Sequence, residues 1–389
     1  MIRYLTAGES HGEALIGIVE GVPAGLPITA EDINIHLARR WLGFGRGGRA
    51  KIESDRVHIY SGIRFSTTMG SPIALRINNA AYRIDKAGWP EVMAIEGDGE
   101  GIERVTLPRP GHADLAGIQK YRFDDIRPVI DRASARETAI RVACCSVARR
   151  FLAHFGMEIG SHVLRIGEIE CGGPGSDQAG SLIQEGALAI NRVADLSEVR
   201  MLDDRDTARC VDHIKQVKKE GDSLGGVFEV VVTGVPAGLG SYVQWDRRLD
   251  GQLAQAILSI QAQKAVEIGD GVAAASKRGS AVHDEITHPR ESLGRSSNRA
   301  GGIEGGVSNG MPIVVRSYMK PIPTLINPLK SVDIDSGERQ TTRYERSDVT
   351  SVPAASTVAE AVVSLVVANA FLEKFGGDSI AEIEERFRR

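Results

Sequence analysis

The sequence is poor in aromatic side chains and in cysteine. Aromatic residues make up 5% of the 389 residues, and the four cysteines are Cys144, Cys145, Cys171 and Cys210. Their spacing matches neither a metal site nor the dense disulfide framework of a small secreted domain. We therefore expect a reduced protein in the cytoplasm.

Excess charge of one sign and long apolar runs are also missing. The formal net charge is −4 and there is no basic tail, which argues against a general nucleic-acid-binding protein. The first residues lack an apolar core of signal-peptide length, and the longest apolar run, near residues 361–372, is too short to cross a membrane. We expect neither nucleic acid nor a membrane among the partners.

Glycine and arginine are the residues present in excess. The chain has 44 glycines, and 36 of its 47 basic residues are arginine. Glycine suits tight turns and close approaches of the backbone, whereas arginine binds anions through two parallel hydrogen bonds. A GC-rich genome would raise both residues without a functional reason. Composition leaves both explanations open, so the positions of these residues must decide.

Two landmarks occur twice in the same order. The sequence GVPAGL at residues 21–26 recurs identically at 234–239, and GSPIALR at 70–76 resembles GMPIVVR at 310–316. Each GVPAGL follows a strand-like run and precedes a helical pattern. Such turn sequences also arise by coincidence, because glycine and proline dominate turns. Two landmarks in one order nevertheless favour a duplicated α/β unit.

The repeat defines the predicted domain organisation. We predict one domain over residues 1–389 with an α/β (α+β layered) fold, whose repeat halves span about 1–160 and 207–389. Between them, at about 161–206, the pattern weakens and predicts a peripheral insertion.

Capping signals mark three helices. Thr29 followed by Asp32 and Ser134 followed by Glu137 have the spacing of capping boxes, and the second predicts an amphipathic helix to about His154. Proline at position 353 predicts a third helix that ends before two glycines at 376–377.

A glycine-flanked turn at residues 8–12 reads GESHG. It satisfies G-x-S-x-G, the nucleophile elbow of serine hydrolases, with Ser10 as the nucleophile. An alternative is that the turn exposes His11 as a general acid or base. No HGGG-type oxyanion segment follows, which weakens the hydrolase interpretation, and a purely structural turn is a third explanation.

The loop at residues 43–48 satisfies G-x-G-x-x-G, but it follows a predicted helix instead of a strand. The context of a dinucleotide-binding site is therefore absent. Three arginines, Arg40, Arg46 and Arg49, could converge there on one polyanion. A solvated basic loop is the alternative.

Further candidates lie in turns and at a helix start. His112 lies in the Pro/Gly turn RPGHAD at 109–114, and Arg132 and Arg136 flank the predicted helix start at Ser134, which suits an anion. The glycines at 301–306 and Lys320 suit a flat or phosphorylated ligand, or else a plain β-turn.

Arg346 and Asp348 come just before the helix predicted at Pro353. They could serve a site or form a surface ion pair of little consequence. The sequence has no HExxH motif and no paired Cys/His spacing, so no metal site is predicted.

Together these motifs resemble the chorismate synthase family over nearly the whole chain. The matching stretches are GESHG at 8–12, RR-x5-GRGGR ending at Arg49, RPGHAD at 109–114, SARET at 134–138, GDSLGG at 221–226, GGIEGG-x-SNG at 301–310, MKPIPT at 319–324 and ERSD at 345–348. The resemblance is weakest over residues 171–206.

The resemblance implies a fold, a reaction and partners. It implies a β-α-β sandwich with internal pseudo-two-fold symmetry and a homotetramer. It also implies a lyase that forms chorismate by 1,4-anti elimination of phosphate from 5-enolpyruvylshikimate 3-phosphate, the last step of the shikimate pathway. Reduced FMN is required although no net oxidation occurs. NADPH as an indirect reductant and an external flavin reductase are both left open.

The resemblance also implies residue roles. By matching position, His11 protonates the departing phosphate, His112 supports the protonation state of the flavin, and Asp348 works with the flavin in removing the ring proton. The implied substrate-binding residues are Arg40, Arg46, Arg49, Arg136 and Arg346. The implied flavin contacts are Arg132, Ala133, Ser134, Gln261, Ala262, Gly305, Lys320, Pro321, Ile322, Pro323, Thr324 and Arg346. Some family members carry Asn at the position of Gln261 and Met at that of Ala50.

Two other function classes remain as alternatives. One is a serine hydrolase that uses Ser10, and the other is a non-enzymatic anion-binding or assembly protein built on the duplicated fold.

Overall fold

The computed structural model describes residues 1–47, 53–84, 88–172, 178–288, 293–342 and 348–388. Arg49, Ala50 and Arg346, which the sequence singles out, lie outside these ranges.

Strands in the described ranges form two larger sheets and four short hairpins. They are β1 (Arg3–Ala7), β2 (Ala14–Glu20), β3 (Val57–Ile59), β4 (Ile63–Arg64), β5 (Thr67–Thr68), β6 (Ile73–Asn78), β7 (Glu158–Ile166), β8 (Ile169–Glu170), β9 (Gly226–Thr233), β10 (Gln263–Ile268), β11 (Ile286–Thr287), β12 (Gly294–Arg295), β13 (Ile303–Glu304), β14 (Val307–Ser308), β15 (Ile313–Met319), β16 (Lys330–Val332) and β17 (Arg339–Thr341).

The helices range from single turns to a 24-residue core helix. They are α1 (Ala30–Arg39), α2 (Ala81–Ile84), α3 (Trp89–Val92), α4 (Asp114–Tyr121), α5 (Arg127–Ala133), α6 (Thr138–His154), α7 (Gln178–Glu185), α8 (Ala187–Ala194), α9 (Asp204–Glu220), α10 (Leu249–Leu258), α11 (Gly271–Ala275), α12 (Val352–Phe375) and α13 (Ile380–Phe387). Within the described ranges, 3₁₀ turns lie at Ala135–Glu137, Trp245–Arg247 and Gly279–Ala281.

The two larger sheets are antiparallel and share one strand order. The first runs β1-β2-β6-β3, and the second runs β7-β9-β15-β10 with the short β8 added beyond β7. GVPAGL directly follows β2 in the first sheet and β9 in the second, while the second landmark leads into β6 and β15. The repeated sequence thus occupies equivalent places in two similar sheets.

Helices fill the space between the sheets. The helix α6 packs on β1, β2 and β6, α12 packs on β7 and β9, and the two helices contact each other. In addition, α1 packs on α6, and α10 packs on α12. This arrangement is a β-α-β sandwich, as the resemblance implies.

Both central helices, α6 and α12, are buried on nearly all sides. The prediction that α6 is amphipathic was therefore wrong. The apolar run near 361–372 is part of the longer α12, which is long and apolar enough to cross a membrane by composition. Burial between α6 and the second sheet explains this composition. The predicted length of the apolar segment was too short.

The helix starts follow the sequence in one case and depart from it in another. Thr29 and Asp32 form the predicted capping box at α1. Ser134 instead caps the 3₁₀ turn before α6, and its hydroxyl accepts from the Arg136 N–H at 3.2 Å. Glu137 does not complete a box, since its carboxylate accepts from the Thr6 hydroxyl at 3.0 Å.

The outer faces of the two sheets differ. Leu5 pairs with Ile18 in the first sheet, and the equivalent pair in the second is Gly160 with Val231. Leu5 and Ile18 are 71% and 44% exposed, whereas Val231 is buried beneath α8. A Cβ at Gly160 would lie 2.0 Å from the Ala187 carbonyl oxygen, so glycine is what lets α8 approach the strand. The segment between β7 and β9 therefore covers one face that stays open in the other sheet.

Candidate active site

A cavity of about 890 Å³ lies where several distant segments meet. Its walls come from the turn after β1, the end of α1, the 109–113 turn, the α5–α6 junction, the α10–β10 junction, the segment after β15, and the start of α12. Cavities of this size hold small-molecule ligands and cofactors in other proteins.

Cations dominate the charged side chains on the cavity wall. Among the described lining residues, six are arginine or lysine and one is a carboxylate; they are Arg40, Arg46, Arg109, Arg127, Arg136, Lys320 and Asp348. Such a surface favours a multiply charged anion. Three of the arginines that the sequence singles out, Arg40, Arg46 and Arg136, therefore lie at one site.

The GESHG turn holds His11 at the cavity wall. Gly8 has φ +101°, and a Cβ there would lie 2.4 Å from the Ala14 carbonyl oxygen, so only glycine fits. The Ser10 N–H donates to the main-chain oxygen of Asp131 at 3.0 Å. His11 Nδ1 lies 2.6 Å from the buried Asp131 Oδ1, which fixes one edge of the imidazole and leaves Nε2 as its other polar atom.

His112 has a similar partner. Its Nδ1 hydrogen-bonds Asp114 Oδ1, while Arg109 Nε donates to Asp114 Oδ2 at 2.8 Å. Burial alone would raise the pKa of the Asp114 carboxyl, but hydrogen bonds from His112 and Arg109 outweigh it and hold that pKa well below its usual range. Asp114 therefore remains a carboxylate that orients His112.

Arg40 and Arg136 share a buried carboxylate. Asp55 lies 2.6 Å from Arg136 Nη1 and 3.4 Å from Arg40 Nη2. Burial lowers the pKa of the Arg40 guanidinium to about 10, and the Arg40 guanidinium carbon lies 4.7 Å from the Trp41 ring centroid. Arg40 Nε is buried without an acceptor among the described residues, and Arg136 Nη2 makes no hydrogen bond there although it lies 3.5 Å from Glu53 Oε2. Both guanidinium groups keep hydrogen-bonding capacity for an anion.

Asp348, just before α12, contacts the loop that contains Arg46 and Gly47. Its Oδ1 accepts the Gly47 N–H at 2.6 Å, and its Oδ2 accepts the Ser351 hydroxyl at 2.8 Å. Arg46 Nη1 lies 3.0 Å from the same Oδ2. The carboxylate thus contacts both the loop and the helix that border the cavity.

The opposite wall carries Gln261, Ala262 and Lys320. Ala262 has φ +67°, a left-handed conformation that is costly for alanine, and its carbonyl accepts the Lys320 N–H at 3.0 Å. The Gln261 Oε1 is buried without a donor in the part of the chain that the structure describes. Burial and the nearby Lys264 lower the pKa of the Lys320 ammonium, which donates to the Gly111 carbonyl.

The family model described as chorismate synthase matches residues 2–372. The chain belongs to the chorismate synthase family. A chorismate synthase from Salinibacter ruber is 67% identical over 98% of this chain and 97% of its own length. The corresponding protein from Aquifex aeolicus is 52% identical over 99% of this chain and 96% of its own length.

A solved structure agrees with this assignment. The chain matches a crystal structure of chorismate synthase with a TM-score of 0.79 and 42% identity, covering 100% of this chain and 96% of that one. The predicted family, fold class and lyase class are confirmed. The chorismate synthase family acts in aromatic amino-acid biosynthesis and uses a reduced flavin. The serine hydrolase alternative is not supported.

The structure brings most of the predicted site residues to the cavity. Those that line it are His11, His112, Asp348, Arg40, Arg46, Arg136, Ala133, Ser134, Gln261, Ala262, Lys320, Ile322, Pro323 and Thr324. Arg132, Gly305 and Pro321 are not among the lining residues, and Gly305 lies in the turn between β13 and β14. The roles of all these residues in the chorismate synthase reaction stay predictions.

Sequence reasoning missed the groups that orient the histidines. Asp114 lies two residues after His112, so the spacing within RPGHAD could have indicated it. Asp131 is separated from His11 by 120 residues, and no local pattern links the two. Trp89 and Arg127 also line the chorismate synthase cavity, and neither stood out in the sequence.

Proposed function

We propose that this chain catalyses the 1,4-anti elimination of phosphate from 5-enolpyruvylshikimate 3-phosphate to give chorismate, with reduced FMN as cofactor. The observation that carries the proposal is one cavity in which six cations surround two carboxylate-paired histidines. A substrate with one phosphate and two carboxylates matches that charge pattern.

The arginines bind the substrate anions. Arg40, Arg46 and Arg136 lie in the described part of this cluster, and Arg49 and Arg346 are assigned to it by their sequence positions alone. Charge-assisted hydrogen bonds from a desolvated guanidinium hold an oxyanion more strongly than water does. The same positive field stabilises the charge that accumulates on the leaving phosphate.

His11 and Asp348 handle the two protons of the reaction. The elimination breaks one C–H and one C–O bond and forms a C=C bond. We propose that the Asp348 carboxylate accepts the proton released from the ring. His11 Nε2 donates the proton that the departing phosphate takes up. Asp131 holds His11 Nδ1, so the imidazole can present its other nitrogen to the phosphate.

The wall beside His112 fits the flavin. Gln261 Oε1 is a buried acceptor that lacks a donor among the described residues, and the N–H of a flavin pyrimidine ring is a matching donor. Ala133, Ser134, Ala262 and the segment from Lys320 to Thr324 would complete the site. The chemistry that reduced FMN would supply at this site is electron density for the substrate ring, without net oxidation. His112, held by Asp114, supports the protonation state of the flavin.

A single assay tests this function. Purified protein is incubated anaerobically with 5-enolpyruvylshikimate 3-phosphate and FMN that is either dithionite-reduced or oxidised, and inorganic phosphate and chorismate are measured. We expect equal amounts of both products with reduced FMN and neither with oxidised FMN. Phosphate released without chorismate would instead indicate a phosphatase and reject the proposal.

The source of reducing equivalents forms a separate part of the proposal. The G-x-G-x-x-G loop starts after the helix α1 and not after a strand, so it lacks the context of a nicotinamide site. We propose that NADPH acts only indirectly, through an external flavin reductase. The test is turnover with NADPH and oxidised FMN, which should require added reductase.

The open face of the first sheet supports the proposed homotetramer. Leu5, Ile16 and Ile18 are exposed side by side on β1 and β2. A second copy of the chain would cover this face, and sedimentation analysis of the wild type and of Ile18→Lys tests whether it does. The four free cysteines are consistent with a cytoplasmic location.

A further inference from the structure

The ring of Trp89 stacks on the imidazole of His11. The ring centroids are 3.8 Å apart and the planes differ by 15°. Trp89 begins the short helix α3, and its side chain lines the cavity. The contact joins a segment that carries no predicted site residue to the histidine assigned to the leaving phosphate.

The stack and the Asp131 hydrogen bond constrain His11 in different ways. A hydrogen bond of 2.6 Å to Nδ1 fixes one edge of the ring but allows the plane to tilt about the N···O axis. An indole face in van der Waals contact blocks that tilt. Together the two contacts fix the direction of Nε2, for which no hydrogen bond is found within the described ranges.

The indole also changes the surroundings of the imidazole. An aromatic face attracts a cation through its quadrupole, and the Arg127 guanidinium carbon already lies 5.4 Å from the Trp89 centroid. The same indole covers one side of the imidazole ring. It also keeps water off one side of the ring.

We propose that Trp89 is a positioning residue of the elimination, which holds the His11 imidazole with Nε2 directed at the leaving phosphate. The proposal rests on the function proposed above. Trp89 acts through His11, so its loss lowers the rate of the proton-coupled step and leaves the arginine contacts to the substrate in place.

Kinetics of two variants separate positioning from packing. Trp89→Leu fills much of the space but has no aromatic face, and we expect kcat to fall about tenfold with KM within about twofold of wild type, since misplaced catalytic groups cost rate rather than binding. Trp89→Phe keeps a stacking ring and should retain at least about half of the wild-type kcat. Trp245→Leu is the matched control, because Trp245 is 82% exposed and does not line the cavity.

A spectroscopic measurement needs no turnover. The protein contains nine histidines, and labelling them at Cε1 with ¹³C gives one resonance for each. Ring current from the indole should shift the His11 resonance upfield in wild type. This shift should disappear in Trp89→Leu and persist in part in Trp89→Phe. His11→Asn assigns the peak.

The outcomes distinguish the two proposals. A wild-type protein that releases no chorismate rejects the function, while the His11 resonance still reports the stack. Unchanged kcat in Trp89→Leu, equal losses in the Phe and Leu variants, or a His11 resonance that does not move would each overturn the role of Trp89. Should Trp89→Leu fail to fold by circular dichroism, Trp89→Met replaces it in both measurements.

Discussion

Arg46 Nη1 lies 3.0 Å from Asp348 Oδ2, so the arginine proposed to bind substrate neutralises the carboxylate proposed to take the ring proton. An incoming phosphate or carboxylate competes with Asp348 for this guanidinium. Arrival of the substrate would therefore release the carboxylate at the moment when a proton acceptor is needed.

Asp348→Asn should abolish most of the activity while the fold persists. The amide oxygen can still accept from the Gly47 N–H, and the amide NH2 can donate to the Ser351 hydroxyl oxygen in place of Oδ2, but the amide takes no proton. We expect kcat to fall by at least about a hundredfold, the usual size of a lost general base. Single-turnover phosphate release under anaerobic conditions measures it. Ser351→Ala, which removes one hydrogen bond and keeps the carboxylate, should cost less than about tenfold, and equal losses in both variants would contradict the assignment.

Arg40→Met should separate substrate binding from stability. A buried cation with an unpaired Nε is expensive to keep, and Asp55 retains its 2.6 Å contact with Arg136 after the change. We therefore expect a Tm equal to or above that of wild type, together with substrate binding weakened by about tenfold to a hundredfold, the value of one hydrogen bond to a charged group.

Calorimetry and isothermal titration with the substrate measure these two quantities for Arg40→Met. Arg388→Met, at a 77% exposed side chain just after α13, is the control and should leave both unchanged. Substrate affinity equal to wild type in Arg40→Met would remove Arg40 from the binding site.

Asp114→Asn tests the orientation of His112. The amide cannot match the charge that holds the imidazole edge, and Arg109 loses its carboxylate partner. Turnover should fall by about a hundredfold. If His112 serves the flavin, affinity for reduced FMN should fall as well, as followed by fluorescence titration. Asp212→Asn, at an exposed partner of Lys215, provides the comparison. A normal flavin affinity would argue that Asp114 has only a structural role.

Glu360→Gln should destabilise the protein in a pH-dependent manner. Glu360 is buried at the centre of α12 and accepts from Arg39 Nη1 at 2.7 Å, with Arg149 and Arg200 also in contact. Burial would raise the pKa of the Glu360 carboxyl, but the three arginines lower it well below its usual range. A depressed native pKa adds stability above the unfolded pKa of about 4.3, and that stability is lost as the pH falls further.

Removal of this carboxylate leaves buried arginines without their partner, which costs about 3–5 kcal/mol in the free energy of unfolding at neutral pH. Urea unfolding at pH values above and below the usual pKa of glutamate measures this cost. The difference in the free energy of unfolding between the variant and wild type should become smaller in acid. Glu373→Gln lies on the same helix at an exposed ion pair with Arg247 and should cost less than about 1 kcal/mol. A gap that stays constant with pH would show that the carboxylate charge does not matter.

Local sequence patterns predicted much of the fold and part of the candidate site. The repeated GVPAGL marks equivalent strands because a tight turn at a strand end has strict backbone requirements, and Thr29 with Asp32 forms its capping box from contacts within one turn. Glu137 does not form the capping box predicted with Ser134, because its carboxylate accepts a hydrogen bond from the hydroxyl of Thr6, on a strand far away in sequence. Tertiary partners override local preference in such cases.

Local patterns could not predict the residues that orient His11, the proposed acid. Asp131 meets His11, and Trp89 stacks on it, only after β1 and the helices α3 and α5 have been brought together by folding. The sequence also did not predict that α8 packs over Val231, because the segment between β7 and β9 has weak hydrophobic periodicity.

The unequal outer faces also bear on how copies of the chain can associate. A molecule with an exposed apolar face on both repeats would have two surfaces that associate with other copies. Successive copies could then assemble into a filament. With α8 packed over Val231, the face around Leu5 and Ile18 is the one of these two sheet faces that stays open. Two copies joined through that face would cover each other's exposed strands, so α8 prevents the two sheets from building a filament, and the proposed homotetramer would join two such dimers through another surface.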